Sequence, residues 1–263
     1  MNNSYKPCIE DITAISGIDT LPPGKLDITM RMGQLSKMDK GKKVLVTCSH
    51  RGYQCILYSK KFGVEVTGIE YDSEMIDFAR LKSDEENISI NFIKADAIKL
   101  PFGEGHFDIV TNEGAVGISG HPQELLAEGL RVVNKNGIYV FRESILADEL
   151  SEEEKEELCS RYGNDIETVN GWVKRINEAG GEVEYIETEP WSEPSNFWNV
   201  RHDREVADYH DLYTMAEKLK LSKILLKKYG QAGIAMAADN ERIFYEAVKV
   251  HKIGYGIFIC RKR

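Results

Sequence analysis

Two carboxylates stand where a nucleoside would need them. Glu70 closes an apolar run, VEVTGIE (64–70), roughly twenty residues beyond a turn that joins a strand to a helix. A carboxylate at that place is positioned to accept both hydroxyls of an adenosine ribose. Asp96, set between Ala95 and Ala97 in KADAIKL, ends the next such run and can accept the exocyclic amine of an adenine lying edge-on. Plainer alternatives stand beside both: a surface acid on the helix side for Glu70, an N-cap of the AIKL turn for Asp96. The turn itself, CSHRG (48–52), holds Cys48, Ser49, His50 and Arg51, with Gly52 as its one glycine. Left-handed backbone at a residue with a Cβ costs about 1–2 kcal/mol, and side chains at Cys48 and His50 crowd the approach of a ligand to the backbone. His50 or Arg51 can instead offer a donor to a ligand carboxylate. Cys48 is open to two readings: a nucleophile or soft-metal ligand activated by the amides of the turn, or a small packed residue.

The elements that must position these groups read as alternating strands and helices. KVLVTC (43–48), VEVTGIE (64–70), ISINFIKAD (88–96), FDIVTNEG (107–114) and IYVFRESI (138–145) are strand-like. GYQCILYSKKFG (52–63), DSEMIDFARLKSDEE (72–86) and PQELLAEGLRVV (122–133) are helical, with Gly63 as a C-cap, Asp72 or Ser73 as an N-cap and Pro122 at a first helical position. Such βαβ units imply a parallel sheet whose strand C-termini share one edge, where ligands of these sheets bind. After Ala147 come a charged helix, a helix over 165–181, a strand over 182–188, a Pro/Trp/Phe/His-rich loop, a helical stretch from about 205 to 250, and a last strand over 254–263. The expected fold is α/β, a doubly wound, mostly parallel sheet with helices inserted between the last two strands. Its expected parts are a capping segment over 1–40, a core over 41–188 and 252–263, and an inserted helical lid over 189–251.

Composition excludes several classes. With 42% apolar and 29% charged residues, the chain of 263 residues builds a globular core. No apolar run approaches the length of a membrane span, and the first residues lack a signal-peptide pattern, so a cytoplasmic location is expected. Net charge is −9, without an extended basic cluster, which argues against a nucleic-acid partner. Five scattered cysteines, none in a CxxC pair, argue against structural zinc or a disulfide framework. A homodimer is admitted, not demanded.

Taken together, VTGIEYDSEMIDFAR, IKADAIKLPFGEGHFDIV and LLAEGLRVVNKNGIYVFRES resemble the class I S-adenosylmethionine-dependent methyltransferases, in the branch of ubiquinone/menaquinone-biosynthesis C-methyltransferases. The resemblance covers about Met30 to Ser144. WVKRINEAGGEVEYIETEP and GYGIFICRKR are similar to the family's last helix and final strand pair. Against the family loop V-L-D-x-G-C-G-x-G, Val44 and Leu45 agree, Val46 replaces the acid, Cys48 and His50 replace glycines, and Gly52 remains.

The resemblance implies S-adenosylmethionine as cofactor, in a cleft formed by Cys48, His50, Gly52, Glu70, Tyr71, Met75, Asp96, Ala97 and Asn112. It places Asn112 and Glu113 beside the transferred methyl group, with Glu113 a candidate general base; the alternative is a carboxylate bonded to amides of the EGAVG loop. His121 is either a substrate contact or a residue near an N-cap. Trp191, Phe197, Trp198 and His202 line a substrate cavity or pin their loop to the core. Arg142 and Glu143, at the end of the fifth strand, are candidates to recognise a substrate acid. A small-molecule methyltransferase is therefore expected. The rivals are a methyltransferase-like binding module without donor binding, and a nicotinamide oxidoreductase, disfavoured because no G-x-G-x-x-G occurs.

Overall fold

The computed structural model describes residues 26–162, 165–195 and 205–263. Strand β1 (Lys43–Thr47) is buried on both faces from Val44 onward, as its unbroken apolar run requires of a central parallel strand. Helix α2 (Tyr53–Phe62) follows and ends on left-handed Gly63, whose N–H donates to the Ser59 carbonyl. Strand β2 (Glu65–Glu70) leads into α3 (Ser73–Glu85), capped by Asp72, whose side chain accepts the Glu74 N–H. Then come β3 (Asn91–Lys94), β4 (Phe107–Glu113), α4 (Pro122–Val132) and β5 (Val133–Leu146). The sheet closes with β7 (Gly181–Glu187) and β8 (Ile253–Lys262).

Spatial order is β3-β2-β1-β4-β5-β8-β7. The first five strands are parallel, and β8 runs antiparallel between β5 and β7. The C-terminal tips of β1, β2, β3 and β4 therefore share one edge, as expected. Strand β5 begins five residues earlier than its apolar run suggests, because Val133 pairs with Phe107 across an irregularity in register. The helix expected over 165–181 starts later. A two-residue strand β6 (Glu167–Thr168) pairs with Ile145 and Leu146, and Thr168 then caps α6 (Val169–Glu178). The long insertion before β8 holds a short 3₁₀ turn and α7 (Met215–Lys249), interrupted at Gly230.

Three cores result. On one face, α1 (Leu26–Leu35) and α2 cover Val44, Val46, Ile109 and Val140; on the other, α4 and α6 cover Leu45, Val110, Tyr139 and Phe141. Ile28 and Met32 of α1 are fully buried, so this part of the expected capping segment is a layer of the core. The third core lies over the protruding end of β5 and the start of β8. There α5 (Glu152–Tyr162) contributes Leu158, alongside Leu221, Leu225, Phe244 and Val248 from α7. The boundary expected at residue 188 thus gives way to a helical cap drawn from both sides of it: α5 was assigned to the sheet domain, yet its one apolar stripe packs with α7. Among the described residues no helix is long and apolar enough to cross a membrane.

Candidate functional site

The bend after β1 takes a left-handed conformation at three alternate residues: Cys48 (φ 54°), His50 (φ 46°) and Gly52 (φ 78°). The glycine is required at 52, where a Cβ would stand 2.8 Å from both the Ala79 side chain and the Phe92 ring. Cys48 and His50 adopt the same hand with side chains present. Buried Ser49 donates its N–H to the Ile69 carbonyl, tying the bend to β2, while its hydroxyl has no partner.

Glu70, buried at the tip of β2, faces this bend. Oε2 accepts the His50 N–H at 2.9 Å; Oε1 accepts Tyr71 N–H at 2.9 Å and Asp72 N–H at 3.1 Å. A carboxylate offers about four lone-pair sites, so three amides leave about one, on Oε2. Tyr71 beside it is 76% exposed, and Met75 is half-buried one turn into α3. At the tip of β3, Asp96 accepts the Ile98 N–H at 3.1 Å, the turn-capping role weighed above, and its other oxygen bonds none of the described residues. Ala97 is buried behind it.

Burial, with Glu70 and Asp96 nearby, pushes the Cys48 thiol up to about 12; Asn112 offsets this in part. The reading of Cys48 as an activated nucleophile is therefore corrected: desolvation and carboxylates overwhelm the turn's amides and keep the thiol protonated. Among the described residues no three His, Cys, Asp or Glu side chains converge to hold a metal. Burial likewise lowers the His50 imidazole below its ordinary value and keeps it neutral. The Arg51 guanidinium lies over the Phe78 ring.

The tips of β4 and β5 carry a different arrangement. Asn112 is wholly buried; its amide donates to Thr47 Oγ1 at 2.9 Å, and its carbonyl accepts the Ala115 N–H at 3.0 Å. Glu113 points to the α1–α2 side. Thr29 Oγ1 donates to its Oε2 at 2.8 Å, and the Tyr58 hydroxyl to its Oε1 at 3.0 Å. Burial raises its pKa, while the Arg142 charge and the two hydroxyls act the other way. Amides of the EGAVG loop are bound by Glu143, not Glu113: Oε1 accepts Val116 N–H at 2.8 Å and Gly117 N–H at 3.2 Å. Glu143, also raised by burial, is thereby committed to the loop. Arg142, only 4% exposed, lies over the Tyr255 ring at 5.2 Å.

Two expected substrate contacts sit differently. His121 is 56% exposed at the start of α4, 3.5 Å from Glu124. Trp191 is packed into the α1-side core with its indole N–H on Glu187, the role of pinning a loop. Trp198 and His202 lie outside the described residues, as does Phe197. Surface hollows of about 280 and 420 Å³ lie beside Glu205 and Lys249 and beside Asp108 and Asn134. Neither includes a residue of the strand-tip cluster, and the topology rather than hollow size locates the chemistry.

The family described as Methyltransferase domain matches residues 46–141, a span running from β1 through the bend, Glu70, Asp96 and Glu113 into β5. A demethylmenaquinone methyltransferase of Staphylococcus aureus is 34% identical over 110 residues, 40% of this chain and 44% of that protein. Over these segments the chain is similar to methyltransferases. Two solved structures share the chain's fold. One, a putative sarcosine dimethylglycine methyltransferase from Galdieria sulphuraria, has a TM-score of 0.74 at 13% identity, covering 90% of this chain and 85% of that one. The other, the [4+2]-cyclase SpnF, has a TM-score of 0.70 at 19% identity, covering 90% and 80%. At such identities the likeness is of fold. The chain spans about half the length of the first curated relatives that it matches.

Sequence reasoning missed Thr29, Tyr58 and Tyr255. Thr29 is the polar residue flanked by apolar Ile28 and Met32 on the buried side of α1, a signal visible but unspecific. Tyr58 reads as an ordinary apolar position of α2, and nothing local marks its hydroxyl.

Proposed function

We propose that this chain transfers a methyl group from S-adenosylmethionine to a small-molecule acceptor. The observation that carries the reading is Glu70: a buried carboxylate held by the His50 amide, with one acceptor site left facing the bend. Glu70 would take one ribose hydroxyl there, and a second by giving up the His50 amide. Asp96 would accept the adenine amine through the oxygen that its turn leaves unused, with Tyr71 and Met75 flanking the ring. The unpartnered Ser49 hydroxyl and the left-handed bend would lie along the amino-acid part. Neutral His50 would serve there as a donor only, and the protonated Cys48 thiol would not compete as a nucleophile.

When bound, the cofactor supplies a methyl group already activated by its sulfonium, so the chain's work is alignment and exclusion of water. Glu113 would receive the acceptor's proton on a carboxylate oxygen whose basicity burial raises. Thr29 and Tyr58 would fix the direction of that oxygen. The cap of α5 and α7 would close the acceptor space. A binding module is the second reading, favoured by the two side chains, Cys48 and His50, that stand where the family has glycines. Calorimetric titration of the full chain with S-adenosylhomocysteine separates the two. Micromolar binding, weakened about tenfold or more in Glu70→Ala, supports the enzyme; a folded protein that takes up no nucleoside supports the module.

A further inference from the structure

Resting on the methyl-transfer reading above, we propose that Arg142 anchors an oxyanion of the acceptor, a carboxylate or a phosphate monoester, beside Glu113. Arg142 is a buried guanidinium without a hydrogen-bonding or ion-pair partner among the described residues. Its Nε is enclosed and makes no hydrogen bond. An arginine stays charged at any relevant pH, and an isolated buried charge costs several kcal/mol unless it is paired.

The nearby acids do not supply that partner. The Arg142 charge lowers the pKa of both Glu113 and Glu143, but neither carboxylate forms an ion pair or a hydrogen bond with the guanidinium. Glu113 spends its oxygens on Thr29 and Tyr58, and Glu143 on the amides of Val116, Gly117 and Ser144. These bonds hold both carboxylates in place out of hydrogen-bonding contact with Arg142, and the guanidinium's fork is left for a visitor.

The chain also builds the group's orientation. Gly114, left-handed at φ 77°, leaves the room the guanidinium fills: a Cβ there would stand 2.6 Å from the Arg142 terminal nitrogen. On another side the Tyr255 ring supports it at 5.2 Å, and Tyr255 is held in turn by Ser192, whose hydroxyl bonds both its N–H and its carbonyl. Tyr255 packs against both the cap core and the α1-side core, which puts Arg142 beside the junction of the two. A planar, rigidly held fork suits two parallel hydrogen bonds to an oxyanion, a geometry a lysine cannot reproduce.

The test uses arginine Nε–H resonances of the full chain, saturated with S-adenosylhomocysteine and titrated separately with acetate, methyl phosphate and acetamide. The Arg142 signal is the one absent from Arg142→Lys. Either anion should shift it in a saturable manner, at least about tenfold more tightly than acetamide, and the tighter anion identifies the source. The overlapping shifts of neighbouring amides should be lost in Arg142→Lys, which keeps charge but not the fork. No response of any arginine signal to either anion, or an equal response to acetamide, overturns the proposal. Calorimetry with S-adenosylhomocysteine runs alongside: failure there removes the methyl-transfer reading, whereas failure of the anions alone removes only the role of Arg142.

Discussion

The two halves of the strand-tip edge hold their carboxylates by different means. Glu70, in the β1–β3 half, is fixed by backbone amides, two of them adjacent and the third 20 residues away. Glu113, in the β4–β5 half, is fixed by side chains from α1 and α2, 84 and 55 residues distant. The first arrangement depends on backbone conformation and tolerates changes of side chain, which is how Cys48 and His50 can occupy left-handed positions without dismantling it. The second depends on the identity of two hydroxyls and on the docking of α1. Arg31 reinforces that docking by gripping Glu187 with three hydrogen bonds of 2.6–3.0 Å.

Breaking the side-chain half should have the largest effect. Glu113→Gln is expected to lower methyl transfer about 10²–10⁴-fold while leaving S-adenosylhomocysteine affinity within about twofold; equal losses in both would place Glu113 in the donor half. The same change tests linkage. Burial raises the folded pKa of Glu113, so its contribution to stability is complete below the ordinary glutamate value of about 4.3 and is lost as pH rises through the folded value. Denaturant unfolding at acidic and alkaline pH should show a flatter decline in the variant than in the parent.

The backbone half is broken most directly at Gly52. Gly52→Ala combines left-handed strain with a Cβ 2.8 Å from Ala79 and Phe92, and is expected to destabilise by about 2–4 kcal/mol, read by chemical denaturation. Tyr58→Phe is a smaller and sharper probe. Its hydroxyl favours the ionised Glu113, so its removal should move the acid limb of kcat/KM to higher pH by up to about one unit; movement to lower pH would contradict the assigned hydrogen bond. Smallest of all, Cys48→Gly or His50→Gly relieves left-handed strain but frees the unfolded chain, for a net change within about 1 kcal/mol. Either variant should bind S-adenosylhomocysteine at least as tightly as the parent, and weaker binding would show that the side chains themselves make the contact.

The same contrast explains what could be read from sequence. Glu70, Asp96 and the bend were legible because strand tips and turns are local features, and the parallel sheet follows from apolar runs alternating with helices. Asn112 was placed at the right edge, but its ties to Thr47 and Ala115 depend on strand pairing that no local pattern encodes. The amide-binding role weighed for Glu113 belongs to Glu143, because alternation along β4 and β5 sends Glu113 and Glu143 to opposite faces. The helix α5 reads as charged and solvated because it carries only a thin apolar stripe, and tertiary packing decides that α7 buries that stripe.

A crystal structure of the full chain grown with saturating S-adenosylhomocysteine tests the central claim most directly. The account predicts a ribose hydroxyl within hydrogen-bond distance of Glu70 Oε2, with Cys48 and His50 still left-handed. Nucleoside density absent from a cleft filled by the thiol and the imidazole would contradict it.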